Sequence, residues 1–263
     1  MTHFFPTLLF FLLGLSLTPS LGQGTLFNQV SDPEMRTIDA NPASATSKPD
    51  HFHLLLQHQL FYGKFNLPRT GVLLGMPSRF GNTQFAYSYF GDQLLSERRA
   101  SLAWAHHLGQ FKLGLRFAYT YVQSAYKIEG RQFAVDLGMQ WQPIAELIIG
   151  FDVQEIQKPS PAEVVALPAA FKSRLGMQYE LSPDLRVYLQ WQQDYFTGSL
   201  LTTSFQYFFK PTFYVVGEVE LMHLSQCFGF GWEKGAFALQ YLGALQYPLG
   251  FSHQLNLHYF FGQ

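Results

Sequence analysis

The sequence predicts an all-β fold, a transmembrane antiparallel up-and-down β-barrel of about fourteen strands with a short N-terminal plug segment. Three observations carry this. From Phe111 to Tyr121 every odd position is apolar or aromatic (Phe111, Leu113, Leu115, Phe117, Tyr119, Tyr121), with Lys112, Gly114, Arg116, Ala118 and Thr120 between them. A period of two places the sets on opposite faces of a strand. The pattern recurs in segments of about ten residues, the length a tilted strand needs to cross a bilayer. Finally, the 263 residues are 17% aromatic and only 13% charged, yet mean hydropathy is close to zero. A helical membrane protein would average strongly apolar, whereas alternation cancels.

Along the chain, residues 1–22 read as a secretory signal peptide: a short leading region, a largely apolar stretch from Phe4 to Leu15 broken by Pro6, and a small-residue end at Ser20-Leu21-Gly22. Residues 23–50 show no alternation and are expected to form a periplasmic or plug segment, with 51–263 as the barrel. Strands are expected at His51 to Leu60, Thr70 to Arg79, Asn82 to Phe90, Arg98 to Leu108, Phe111 to Gln123, Arg131 to Gln142 and Glu146 to Ile156. The second half continues with Phe171 to Leu181, Leu185 to Asp194, Leu200 to Phe209, Thr212 to Leu221, Gln226 to Glu233, Ala236 to Tyr247 and Ser252 to Phe261. Connectors alternate in length. Phe80-Gly81, Gly109-Gln110, Pro143 to Ala145, Ser182 to Asp184, Lys210-Pro211 and Lys234-Gly235 are tight, and the intervening ones are mostly longer. Short turns belong to the periplasmic side and longer loops to the exterior, so an even strand count keeps both termini periplasmic.

Alternation also assigns faces. Phe133, Val135, Leu137, Met139 and Trp141 are expected to meet lipid, and Gln132, Ala134, Asp136, Gly138 and Gln140 the lumen. Trp104, Trp141, Trp191 and Trp232 suit the aromatic girdles at the two interfaces. On the inward phase fall the charges Lys112, Arg116, Asp136, Asp152, Arg174, Glu180, Arg186, Glu218 and Glu220, which can pair across the lumen. Such a set makes either a polar conduit or a salt-bridged interior that keeps the barrel closed and rigid.

The residues exclude more than they assign. The net charge of −1 gives no electrostatic footprint for nucleic acid. Cys227 stands alone, so no disulfide or thiolate metal site forms within the chain. His106 and His107 are adjacent and point to opposite faces; His51 and His53 share a face but have no identifiable third ligand. No Ser/His/Asp set falls on one face near one rim, so no enzyme and no cofactor are expected. Between Ile38 and Ser44, Asp39 and Asn41 can bond local backbone, while Pro42, followed by Ala43, fixes φ and starts a turn. This stretch is the expected plug.

Asn41-Pro42-Ala43 just ahead of the first strand resembles the Asn-Pro-Ala element near the start of FadL-like outer-membrane barrels and of the PorV/PorQ-type proteins associated with type IX secretion. The runs Gly71 to Pro77 and Gly81 to Gly91, the Leu108-Gly109 turn and Tyr119 to Tyr126 are similar to the first half of that group. Leu167-Pro168, Gly176, Gly229-Phe230-Gly231 and Tyr247-Pro248-Leu249-Gly250 are similar to the second. The resemblance implies the outer membrane of a Gram-negative bacterium, with membrane lipid around the wall. It also implies either docking of exported proteins or secretion-system partners, or passage of a hydrophobic ligand.

Overall fold

The computed structural model describes residues 40–46, 51–61, 67–92, 94–125, 129–157, 171–194, 198–221, 225–246 and 250–262. The expected signal peptide, Asp39, and the greater part of the segment 23–50 and of the long connectors lie outside them. Fourteen strands follow in chain order: β1 (His53–Phe61), β2 (Leu67–Ser78), β3 (Gly81–Gly91), β4 (Leu95–Leu108), β5 (Phe111–Ser124), β6 (Glu129–Ile144) and β7 (Leu147–Gln157). Then come β8 (Lys172–Ser182), β9 (Leu185–Asp194), β10 (Gly198–Lys210), β11 (Phe213–Glu220), β12 (Ser225–Lys234), β13 (Phe237–Gln246) and β14 (Gly250–Phe260). Each pairs antiparallel with its neighbours in sequence, and β14 returns to β1 with His53 opposite Phe260, closing the barrel. Closure leaves no strand edge unpaired.

Two-residue turns at 79–80, 109–110, 145–146, 183–184, 211–212 and 235–236 gather at one end. The start of β1 and the end of β14 lie at that same end, where the Phe261 N–H donates to the Phe52 carbonyl at 2.8 Å. The face assignment on β6 holds: Phe133 is 72% exposed and Leu137 48%, whereas Asp136 between them is fully buried. An apolar outside around a polar inside reverses the distribution of a water-soluble protein. Trp104, Trp141 and Trp232 lie outward near the turn end, with Trp104 stacked on His106 and Trp141 on Phe111. Trp191 lies near the opposite rim, three residues before β9 ends at Asp194.

Strand edges depart from the sequence reading where side chains stop alternating but the ladder continues. β4 begins at Leu95 rather than Arg98, because Leu95, Ser96 and Glu97 still pair with β5. β2 begins at Leu67, and its Pro68 sits one residue beyond the last β2–β3 pair, Arg69 with Phe90. The expected turn at Pro143 to Ala145 shifts to 145–146. Pro143 is absorbed into β6 at a register irregularity between Trp141 and Ile144, the place where a strand tolerates a residue without an N–H.

Candidate functional site

The expected plug residues Asn41, Pro42 and Ala43 lie inside the wall. Pro42–Thr46 forms a short 3-10 turn against β3, β4, β5 and β6, and residues 40–45 are all buried, Asn41 and Ala43 completely. The turn builds itself first. The Ala43 N–H donates to the Asn41 Oδ1 at 2.9 Å and the Ser44 N–H to the Asn41 carbonyl at 2.9 Å. Pro42 supplies the fixed φ and has no N–H to strand in the interior.

The wall is shaped to take it. Gly114 and Gly138 are register partners on β5 and β6, and both lack the side chain that would collide with the segment. A Cβ on Gly138 would run into Asn41 Oδ1, and one on Gly114 into the Pro42–Ala43 backbone. Close approach of backbone to backbone is what glycine permits here. Asn41 Nδ2 then reaches the carbonyls of Met139 at 3.2 Å and Phe151 at 3.3 Å. Gln140 donates to Ser44 Oγ at 3.1 Å, Asn82 to the Ala45 carbonyl at 2.9 Å, and Arg116 to the Ala40 carbonyl. Each bond satisfies a polar group that would cost free energy if buried alone.

Arg116 also ties the plug to the inward charges. Its guanidinium lies 3.3 Å from Asp136, its register partner on β6. Arg99 approaches the same carboxylate at 3.5 Å and the Glu155 carboxylate at 3.1 Å. The Glu155 N–H donates to Asp136 Oδ1 at 2.8 Å, which a β-bulge makes possible: Gln154 and Glu155 together oppose Asp136, and Glu155 adopts φ +60°. A second pair, Asp152 with Arg174, joins register partners on β7 and β8, with Gln154 donating to Asp152 at 3.0 Å. A third, looser pair joins Glu180 on β8 to Arg186 on β9 at 3.7 Å.

Arg116 with Asp136, Asp152 with Arg174 and Glu180 with Arg186 join neighbouring strands along the wall, while Arg99 reaches inside the barrel from β4 to Asp136 on β6 and Glu155 on β7. Parity explains the three neighbouring pairs: facing residues on hydrogen-bonded strands share a face and sit about 5 Å apart. Lys112 stands on the inward phase of β5 below Arg116, and Glu218 and Glu220 on that of β11, away from the Asp136 and Asp152 clusters. The β9–β13 side of the lumen is different in kind. Tyr188, Tyr214, Val216, Cys227, Leu242 and Ala244 form a buried apolar cluster there, with the Tyr188 hydroxyl bonded to Gln206 at 3.0 Å.

No protein-family model and no curated protein matches the chain. Among solved structures it is similar to engineered variants of the Rhodopseudomonas blastica porin. One multiply substituted variant is 9% identical with a TM-score of 0.47, covering 80% of this chain and 99% of that one. A second is 8% identical with a TM-score of 0.48 over the same shares, and a triple mutant is 8% identical with a TM-score of 0.46.

Asn82, Arg99 and Glu155 are the site residues that sequence reasoning passed over, and Gln140 it placed on the lumen face without a role. Arg99 was within reach, because extending the inward phase of β4 from Ala103 through Ser101 arrives at it. Glu155 was not, since strict alternation turns it toward lipid and only the bulge brings its backbone to Asp136. Of the histidines considered for metal binding, His106 stacks outside on Trp104, and His53 packs inside against His258 at 5.2 Å between ring centroids. Among the described residues, no group of three or more His, Cys, Asp or Glu is close enough to hold a metal ion.

Proposed function

We propose that the protein is an outer-membrane β-barrel, its turns and termini periplasmic, that serves as a non-enzymatic docking scaffold held shut by its plug. The observation that carries this is the anchoring of Ala40 to Ala45, buried throughout and bonded to four wall strands, β3, β5, β6 and β7. A gate meant to open would be expected at the low-stability end of the molecule, with few buried bonds. The PorV/PorQ-type resemblance supports docking of exported proteins on the loop side, and the apolar outer wall supports the membrane.

A second reading, passage of a hydrophobic ligand, is favoured by the inward apolar cluster on β9–β13. One experiment separates them. Purified protein in planar bilayers should show no steady conductance, and a detergent-extracted pulldown should recover exported proteins. Loss of uptake of a fluorescent long-chain probe in a Pro42→Ala variant, with heat-modifiable gel mobility and partner capture intact, would overturn the scaffold in favour of transport.

A further inference from the structure

On the outward phase of β3 to β6, charge is confined to Arg98, Glu129 and Arg131, all at the loop end. The register sets four outward residues in a row on adjacent strands: Tyr89 opposite Arg98, Arg98 opposite Tyr121, and Tyr121 opposite Arg131. Arg98 and Arg131 are both exposed, and the Arg131 guanidinium lies 6.0 Å from the Tyr121 ring centroid. Glu129 stands on the same outward phase of β6, two residues before Arg131. Toward the middle of the wall the same strands present bare apolar surface: Phe133 at 72% exposure, Phe117 at 54% and Leu102 at 50%.

We propose that this row binds the phosphates of an outer-leaflet glycolipid, the two guanidiniums clasping phosphate oxygens over Tyr121 while acyl chains lie on Leu102, Phe117 and Phe133. The proposal rests on the membrane placement given above. Neighbouring strands lie about 4.8 Å apart, so arginines on alternate strands are separated by about 10 Å, a gap two extended side chains close from either side. Arginine presents a planar fork suited to phosphate oxygens, and its contacts strengthen where water is thinned at the edge of the hydrocarbon. The alignment matters. A rim that only faced water would have no reason to place both arginines on the lipid-facing phase directly above an apolar wall.

Native mass spectrometry of the full chain in detergent tests this, with three probes: a bisphosphorylated glucosamine-disaccharide glycolipid, its dephosphorylated form, and phosphatidylglycerol. The bisphosphorylated probe should remain bound and the other two should not. Replacing both arginines (Arg98→Gln with Arg131→Gln) should weaken retention roughly tenfold or more, whereas Lys234→Gln on the opposite rim should leave it unchanged. Equal retention of either control lipid, or undiminished retention by the double variant, overturns the site. Flotation with phosphatidylethanolamine vesicles reads the membrane placement separately. Wild type and double variant should float alike with the same heat-modifiable mobility, and failure of both to float would remove the membrane reading and the site with it.

Discussion

At the scale of the residue, Asp136 and Leu137 show what one step along a strand means. Leu137 points outward and is 48% exposed, so Leu137→Arg should cost about 2–4 kcal/mol if it sits near mid-membrane. Asp136 points inward, where Arg99 and Arg116 share its carboxylate. Removing that charge with Asp136→Asn leaves two guanidiniums facing a neutral amide in a buried site, and should cost about 3–5 kcal/mol. The temperature at which the heat-modifiable gel shift is lost checks both. Arg116 and Asp136 were legible from parity alone, as was the turn-forming Asn41-Pro42. The seats at Gly114 and Gly138 were not, because a glycine in a strand does not say what lies against it. Outside the strands, Asp92 accepts from the Leu94 N–H at 2.8 Å and the Leu95 N–H at 3.0 Å. These backbone bonds, that to Leu95 foremost, hold its carboxyl below the ordinary carboxylate range. Such a group supports the loop fully above the ordinary carboxylate pKa and loses that support as pH falls through the lowered value. Hydrogen exchange should therefore show the Leu94 and Leu95 amides losing protection only on strong acidification, and already unprotected at neutral pH in Asp92→Ala.

Among the elements, strand number and pairing order were legible, because each outward run is apolar and each turn short or long in its due place. What escaped was irregularity. The polar start of β4 carries no apolar rhythm, and Pro143 looked like a turn because a proline inside a strand is tolerated only at a bulge or an end. The β7 bulge left no mark in the pattern, although it sets the position of the Glu155 N–H on Asp136. Its φ of +60° is a conformation that side chains resist and glycine does not. Both Glu155→Gly and Glu155→Ala lose the contact with Arg99, so their difference isolates the backbone. The glycine variant should be the more stable by about 1 kcal/mol in chemical denaturation. Equal stability of the two would mean that the bulge is not strained.

Over the whole molecule, the turn end and the loop end are chemically distinct, and orientation follows from which one faces the periplasm. In a Cys227→Ala background, a cysteine at Ala125 beside the β5–β6 loop should label in intact cells with a membrane-impermeant reagent, and one at Asp184 in the β8–β9 turn should not. The reverse pattern would invert the barrel. The seam between β1 and β14 joins the first strand to the last. The segment packed against β3 to β6 precedes β1 in the chain, so it is joined to the barrel at the same end as that seam's start. Once the hoop shuts, that segment is tethered at the turn-side mouth and walled in on every side by hydrogen-bonded backbone. Leaving then means threading back through that mouth against the buried bonds that hold it, or parting the seam, so the same short segment is both the barrel's filling and a passenger on a leash too short to lose it.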